Sequence, residues 1–194
     1  DTARSRGLGD VYKRQEGADL LTSEAGITST FTVVLDAQPT DTVTVSITGI
    51  DATENSLSGS TLSISNTLTF TTANWDTAQT ITVTGVDDSF VDGDITPTIT
   101  ATASNTGGYA GTDSASTTIK NTDDEVAGIT IAQASTPLVT TEAGSTATFT
   151  VVLDAQPTDT VTVAITGNDT SENSLSGSTL SSSNTLTFTT SDWN

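Results

Sequence analysis

The stretch that decides the fold is residues 29–48, STFTVVLDAQPTDTVTVSIT. Apolar side chains alternate with mostly polar ones on both sides of the segment Ala-Gln-Pro-Thr at 37–40, which is typical of a turn. The apolar positions are Phe31, Val33, Leu35, Val43, Val45 and Ile47. A period of two indicates strands with one buried face. The stretch therefore predicts two half-buried antiparallel strands joined by a short turn.

The same alternation continues along the chain and predicts an all-β fold. Threonine accounts for 45 of the 194 residues, and its β-branched side chain with a polar tip suits the solvated face of a strand. The pattern predicts no helix of any length, and it predicts strands at 29–36, 42–48, 60–63, 67–72, 78–85, 95–102 and 114–120. About seven strands in 110 residues favour an immunoglobulin-like antiparallel β-sandwich.

An internal repeat divides the chain. Residues 22–76 align without a gap on residues 140–194, and 44 of the 55 aligned positions are identical. We therefore interpret 16–125 as a first β-sandwich repeat and 126–194 as the N-terminal part of a second, truncated repeat. About half of the second sandwich is absent, so part of its core is expected to lack partners. The affected residues are Phe149, Val151, Leu186 and Trp193.

The first fifteen residues differ in composition from the rest. They hold four of the five basic residues, which leaves Lys120 as the one basic residue in 16–194. Residues 5–15, SRGLGDVYKRQ, resemble the in-frame translation of a sequencing-library adapter. We therefore treat 1–15 as a non-native segment and exclude it from the fold prediction.

Composition also excludes most classes of function. The chain has 24 acidic and 5 basic residues, a net charge of −19, and neither His nor Cys. Catalytic triads built on His or Cys, and zinc sites with His or Cys ligands, are therefore absent. The negative charge argues against nucleic acid as a partner. No apolar run is long enough for membrane insertion. A carboxylate pair could in principle hydrolyse a glycoside, but no spacing singles out an acid and a nucleophile, so we predict that the protein is not an enzyme.

Most acidic residues of the first repeat lie in predicted loops. Alternate loops of an up-and-down sandwich share one end, so we expect these loops to converge. The acids concerned are Glu24, Asp51, Glu54, Asp87, Asp88, Asp92, Asp94, Asp123, Asp124 and Glu125. Two carboxylates about 5 Å apart repel by roughly 3 kcal/mol at an effective dielectric of 20. Such a cluster favours a hard cation with irregular oxygen coordination, which indicates Ca²⁺. The alternative is that the loops collect acids only for solubility.

Three segments resemble the Calx-beta family, especially its copies in giant bacterial surface proteins. They are 22–26 (TSEAG), 83–94 (VTGVDDSFVDGD) and 119–125 (IKNTDDE). The resemblance implies a seven-stranded sandwich with Ca²⁺ at one end. The ligands it implies are Glu24, Asp87, Asp88, Asp92, Asp123 and Asp124.

The chain departs from the Calx-beta pattern in two places. The family's Gly-x-Asp-Tyr element is replaced by NSLSGS at 55–60, so the resemblance does not extend to Asp51 and Glu54. Asn121 and Thr122 precede the exit acids and shift their register. Whether Asp51, Glu54, Asp94 and Glu125 are ligands stays open.

The sequence thus predicts a calcium-binding structural spacer repeat of a large extracellular bacterial adhesin or biofilm-type surface protein. Its expected partners are calcium and the neighbouring repeats of the same chain, and its expected location is the bacterial cell surface. A cation at 123–125 would stiffen the link to the next repeat. The alternative is a metal-independent immunoglobulin-like module that binds glycan or protein through its loops.

Overall fold

The computed structural model describes residues 20–194, which form two compact units. The described part of the first unit is 20–88 and 93–124, and the second unit comprises 89–92 and 125–194. Residues 1–15, predicted to be non-native, lie outside the described residues. All regular elements in 20–194 are strands, and this part of the chain has no helix of the length and apolarity that a membrane crossing needs.

The first unit is a β-sandwich of two sheets. A five-stranded sheet has the order β1-β8-β7-β3-β5, and a three-stranded sheet has the order β2-β6-β4. The strands are β1 (Leu20–Ser23), β2 (Thr28–Val33), β3 (Val43–Thr48), β4 (Asn55–Ser58), β5 (Thr67–Phe70), β6 (Gln79–Gly85), β7 (Thr98–Ala103) and β8 (Ser114–Thr122). All pairs are antiparallel except β1 and β8, which run parallel.

The core lies between the two sheets and comes from the alternating apolar positions. The three-stranded sheet contributes Phe31 and Ile81, and the five-stranded sheet contributes Val45, Leu68 and Ile119, all with at most 4% of their surface exposed. The intervening threonines of the strands lie on the outer faces, as the period of two requires. Half-buried side chains, including Trp75, pack against the edge of this core. The predicted all-β sandwich is therefore confirmed.

Two predictions about individual strands were wrong. Residues 60–63 form no strand, and the fourth strand is β4 at 55–58, a segment that lies outside the predicted strands. This short strand carries only one apolar side chain, the half-buried Leu57, and its fully buried residue is the polar Asn55 at its start. The parallel strand β1 was also missed, because its four residues show no full period of alternation.

The second unit contains two separate two-stranded sheets, β9–β10 and β11–β12. These strands are β9 (Ile129–Gln133), β10 (Phe149–Leu153), β11 (Val161–Ala164) and β12 (Thr185–Phe188). β11 and β12 pair in the register of β3 and β5, since Val161 is opposite Phe188 as Val43 is opposite Phe70. The side chains predicted to lack core partners are each half-buried.

Candidate metal centre

Glu24 and Asp123 meet because two strands run parallel. Ser23, the last residue of β1, is in register with Thr122, the last residue of β8, so the residues that follow them leave the sheet at the same edge. The Glu24 backbone N–H donates to the Thr122 carbonyl oxygen at 3.2 Å. The parallel pair therefore fixes the first and last acidic segments of the unit side by side.

Glu54 reaches the same end of the sandwich through the other sheet. It directly precedes β4, whose first residue Asn55 is in register with Gly85 at the end of β6. The Val86 backbone N–H donates to the Glu54 carbonyl oxygen at 2.8 Å. Antiparallel pairing thus places the start of β4 beside the end of β6, and Asp87 follows two residues after Gly85.

Carboxylate oxygens of these segments lie close to one another. An oxygen of Glu24 lies within 4.8 Å of a Glu54 oxygen in one group of carboxylates, and an oxygen of Glu24 lies within 4.8 Å of an Asp123 oxygen in a second group. Oxygens of Asp87 and Asp124 are also within 4.8 Å of each other. Glu24 and Glu54 have only 3% and 4% of their surface exposed. Two ionised carboxylates at this separation repel by about 3 kcal/mol at an effective dielectric of 20. A cation in contact with these oxygens would offset that repulsion.

A buried hydrogen-bonded network lies beneath Glu54. The Asn121 amide donates to Glu54 Oε2 at 3.3 Å, and its Oδ1 accepts from the Thr22 hydroxyl at 2.8 Å. The Asn55 amide donates to Thr22 Oγ1 at 3.1 Å. Thr22, Asn55 and Asn121 have at most 1% of their surface exposed. The network joins β1, β4 and β8, and its Asn121 amide holds the Glu54 carboxylate in place.

Asn55 leaves one buried acceptor in this network. Its Oδ1 atom has no hydrogen-bond partner among the described residues. Buried acceptors are normally satisfied by protein, water or an ion. Asn55 Oδ1 is therefore a further oxygen ligand available in the residue that follows Glu54.

Gly85 is required where β6 passes this network. A Cβ atom at this position would lie 2.0 Å from the Ser23 carbonyl oxygen and 2.6 Å from Asn121 Oδ1. Both distances are shorter than any real contact of a Cβ atom, and the first is to backbone. Only glycine lets β1, β6 and the Asn121 side chain approach this closely.

Asp94 is exposed, and its carboxylate is bound by groups of the protein. Lys120 Nζ lies 2.5 Å from Asp94 Oδ2, and the Asp123 backbone N–H donates to Asp94 Oδ1 at 3.3 Å. The hydrogen bond from Lys120 keeps the pKa of Asp94 below its usual range. The Gly93 backbone N–H in turn donates to Asp123 Oδ2 at 2.7 Å. Asp94 therefore positions the segment that carries Asp123.

Asp51 also forms hydrogen bonds within its own turn. Its Oδ1 accepts from the Thr53 hydroxyl at 2.7 Å and the Thr53 N–H at 3.1 Å, and these bonds lower the pKa of Asp51. Its carbonyl oxygen accepts from the N–H groups of Glu54 and Asn55 at 3.2 and 2.7 Å. Asp51 thereby builds the turn that presents Glu54.

The structure brings together some of the six ligands that the Calx-beta resemblance implies. Glu24 and Asp123 form one close pair, and Asp87 and Asp124 form another. Asp88 is half-buried and is not among the carboxylates brought this close within the described residues. Asp92 is exposed and belongs to the second unit, so its role as a ligand stays a prediction.

Sequence reasoning left Glu54 undecided and missed the network beneath it. The available signal is the repeat: the residues equivalent to Thr22, Glu54 and Asn55 are conserved in the second unit at an offset of 118. Asn121 was interpreted only as a change of register before the exit acids. Its burial follows from its position as the eighth residue of the nine-residue strand β8.

Comparison with known proteins gives similarity to solved structures. No protein-family model matches the chain, and no curated protein matches it. Among solved structures, it is similar to SSP-19, an MSP-domain protein like family member in Caenorhabditis elegans, with 9% identity and a TM-score of 0.38. The match covers 54% of this chain and 94% of that chain.

Proposed function

We propose that the first unit is a calcium-binding structural spacer repeat of a large extracellular bacterial adhesin or biofilm-type surface protein, related to the Calx-beta family. The observation that carries the proposal is the buried Glu24 carboxylate with oxygens of Glu54 and Asp123 within 4.8 Å. These three residues come from segments that are far apart in sequence. Convergence of acids from separate loops is what the sequence analysis expected of a cation site.

The donor chemistry supports Ca²⁺ over other metals. Residues 16–194 contain neither His nor Cys, so the site offers oxygen ligands only. Ca²⁺ takes six to eight oxygens in flexible geometry, whereas Mg²⁺ requires a near-ideal octahedron. Glu24 would hold the ion together with Glu54 or together with Asp123, and the buried Asn55 Oδ1 is a neutral oxygen in the residue that follows Glu54.

A cation bound by these residues would join the two sheets. Glu24 and Asp123 follow strands of the five-stranded sheet, and Glu54 precedes a strand of the three-stranded sheet. Binding that is specific to the folded state adds about 2.7 kcal/mol of stability when the free ion exceeds Kd by 100-fold. The ion would therefore stiffen one end of the sandwich.

The spacer role follows from the position of the exit acids. Asp123 and Asp124 directly follow β8, and β9 begins only five residues after Asp124. An ion held by Asp123 would restrict the segment that leads into the next repeat. Extracellular modules bind Ca²⁺ with Kd of about 10⁻⁴ to 10⁻³ M, an affinity suited to a cell-surface location. The high negative charge would keep neighbouring copies apart.

Thermal unfolding of the full chain tests the proposal. We expect excess Ca²⁺, compared with chelator, to raise the unfolding midpoint of the first unit by about 10 °C, and equimolar Mg²⁺ to have a much smaller effect. Glu24→Gln removes one buried charge with little change in shape, so it should abolish most of the Ca²⁺-dependent rise. Asp76→Asn is the matched control, because Asp76 is exposed and the second unit has asparagine at the equivalent position 194.

The quantity to compare is the shift caused by Ca²⁺ in each variant, since Glu24→Gln also alters the stability of the apo form. Calorimetric titration with Ca²⁺ gives the binding stoichiometry independently of unfolding. Equal midpoints in Ca²⁺ and chelator, together with no heat of binding, would contradict the proposal. The metal-independent adhesion module would then be the better hypothesis.

A further inference from the structure

The edge strand β5 lies in a long uncharged part of the chain. Residues 55–75, NSLSGSTLSISNTLTFTTANW, contain no charged side chain, although charged residues make up 15% of the whole chain. β5 is the last strand of the five-stranded sheet, and within residues 20–194 no strand pairs along its outer edge. Proteins commonly protect such an edge with charged side chains or proline. β5, with the sequence TLTF, has neither.

The sequence around β5 is of a type that pairs between chains. Residues 67–72, TLTFTT, are β-branched or aromatic apart from one leucine, and they include no charge, proline or glycine. Such segments readily form strands with copies of themselves. The same six residues recur at 185–190, so every copy of the chain carries the segment twice. A second copy of the chain is therefore the partner that this edge would accept most readily.

Alternate backbone groups of β5 point away from its neighbour β3. The Asn66 carbonyl oxygen accepts from the Ile47 N–H of β3 at 2.8 Å. Successive residues of a strand direct their N–H and carbonyl groups to opposite sides. Thr67, Thr69 and, just beyond β5, Thr71 therefore direct these groups to the outer edge, where a further strand would pair.

Ser63 occupies both backbone groups of Thr67. The Ser63 N–H donates to the Thr67 carbonyl oxygen at 3.0 Å, and the Thr67 N–H donates to Ser63 Oγ at 3.1 Å. The same two hydrogen bonds recur in the second unit between Ser181 and Thr185, at 2.9 and 3.1 Å. The turn before the strand thus fills the first pairing position of the edge in both units.

Two side-chain amides occupy the next positions along the edge of β5. The Thr71 N–H donates to Asn74 Oδ1 at 2.5 Å. The Thr69 carbonyl oxygen accepts from Gln79 Nε2 at 2.9 Å and from Asn74 Nδ2 at 3.5 Å. These bonds leave the carbonyl of Thr69 and the N–H of Thr71 already paired.

Gln79 stands at a position that the strand pattern assigns to the core. It begins β6 in the other sheet and is buried together with Ile81 and Val83, the next inward-facing residues of that strand. Only 7% of the surface of Gln79 is exposed. A buried amide costs free energy unless it is hydrogen-bonded, and the bond that Gln79 makes is to the edge of β5. An apolar residue would suit the alternation better, so the amide points to a role at that edge.

We propose that Ser63, Asn74 and Gln79 form an edge cap that prevents β5 from pairing with the same segment of a second copy of the chain. An incoming strand must break the bonds of the cap before it makes its own, so pairing brings little net gain in hydrogen bonds. The cap takes the place of the charges that residues 55–75 lack. The inference is independent of the proposed metal site, because no acidic residue takes part.

Sedimentation velocity of the full chain tests the proposal. The uncapped variant Ser63→Ala/Asn74→Ala/Gln79→Met removes the three side-chain groups and places an apolar side chain of similar length at the core-facing position. We expect its association constant for dimer formation to exceed that of the parent by about tenfold or more, since the edge groups then lose their internal partners.

The matched control removes side-chain hydrogen bonds elsewhere in the first unit. Ser104 Oγ accepts from the Thr44 N–H at 3.0 Å, and the Thr106 hydroxyl donates to the Thr42 carbonyl oxygen at 2.9 Å. Ser104→Ala/Thr106→Ala lowers stability without exposing the edge of β5, so it should leave association unchanged. An equal rise in association in the control and in the uncapped variant would overturn the proposal.

Substitutions at Thr69 locate the contact. The chain has no cysteine, so Thr69→Cys, at an exposed position of β5, provides a single cross-linking site. Under mild oxidation it should give disulfide-linked dimers in the uncapped variant and few in the parent. Thr98→Cys, also exposed but on the central strand β7, should give few in either. Thr69→Lys adds a charge to the edge and should return the uncapped variant to the monomer.

The proposal fails if the folded uncapped variant associates no more than the parent, or if Thr69→Lys leaves its dimers intact. Gln79→Met alone keeps both turns and provides the test if the uncapped variant does not fold. It frees the Thr69 carbonyl from its shorter hydrogen bond, so it should also raise the association constant. No rise in Gln79→Met would then overturn the proposal.

Discussion

Replacing Asn121 with aspartate tests whether the hydrogen bond to Glu54, and not only the packing of the Asn121 side chain, stabilises the first unit. The side chain keeps its shape and its Oδ1 acceptor for Thr22, but it loses the amide that donates to Glu54 Oε2 at 3.3 Å. A second carboxylate then faces Glu54 in a buried position. We expect Asn121→Asp to destabilise the first unit strongly in the absence of metal.

The size of the effect follows from the distance. Two unit charges 3.3 Å apart repel by about 5 kcal/mol at an effective dielectric of 20. Protonation limits this cost, because an aspartic acid of ordinary pKa near 3.9 takes up a proton at pH 7 for about 4 kcal/mol. At pH 5 the same protonation costs only about 1.5 kcal/mol, and the new acid can then donate to Glu54. The destabilisation relative to the parent protein is therefore about 4 kcal/mol at pH 7 and falls to about 1.5 kcal/mol at pH 5.

Urea unfolding of the full chain in chelator measures both values. The chain has two tryptophans, so a Trp193→Phe background leaves Trp75 fluorescence as the report on the first unit. Asn105→Asp introduces the same charge at an exposed position and should change stability by less than about 0.5 kcal/mol. A loss below about 1 kcal/mol at pH 7, or a loss that is the same at both pH values, would refute the role assigned to Asn121.

Further predictions concern the packing and the charges around the site. Gly85→Ala should lower the free energy of unfolding, measured in urea, by about 3 kcal/mol, because the new Cβ would lie 2.0 Å from a backbone oxygen. Gly111→Ala is the control, since its new Cβ meets only Asn105, at 3.7 Å. An equal loss of stability in the two variants would disprove the close approach at Gly85. Asp94→Asn should lower the stability of the first unit slightly at neutral pH. The difference in stability between variant and parent should vanish as pH falls through the depressed pKa of Asp94, because the charged form of Asp94 is favoured in the folded state. A difference that does not depend on pH would contradict the ion pair with Lys120. Limited proteolysis should cleave the second unit well before the first, because its core side chains are half-buried, and equal resistance would contradict the difference in burial.

The fold was predictable wherever a strand buries one full face. Phe31, Val33 and Leu35 show the period of two, and the structure buries all three. The strand β4 was not predictable in this way, because its burial is provided by Asn55, a polar side chain that hydrogen bonds within the core. Short strands stabilised by buried polar groups carry no apolar alternation.

The site was predictable only in part, for a related reason. Asp123 follows the predicted strand β8, whose direction determines where the acidic loop emerges, whereas Glu24 lies beside it through pairing with β1, a strand that the sequence analysis missed. Glu54 depends on a turn built by Asp51 and on the buried Asn121. The hydrogen bond from Asn121 to Glu54 joins residues 67 positions apart, and no local sequence pattern encodes it.

Titration of the isotopically labelled full chain with Ca²⁺, followed by amide chemical shifts, tests the central claim most directly because it locates the ion as well as detecting it. The account predicts saturable shifts that are largest at Glu24, Glu54 and Asp123, with little change at the exposed Asp41 and Asp76 in other loops of the same unit. Shifts of similar size at all exposed acids, or no saturable shift at Glu24, would contradict a calcium site at this end of the sandwich.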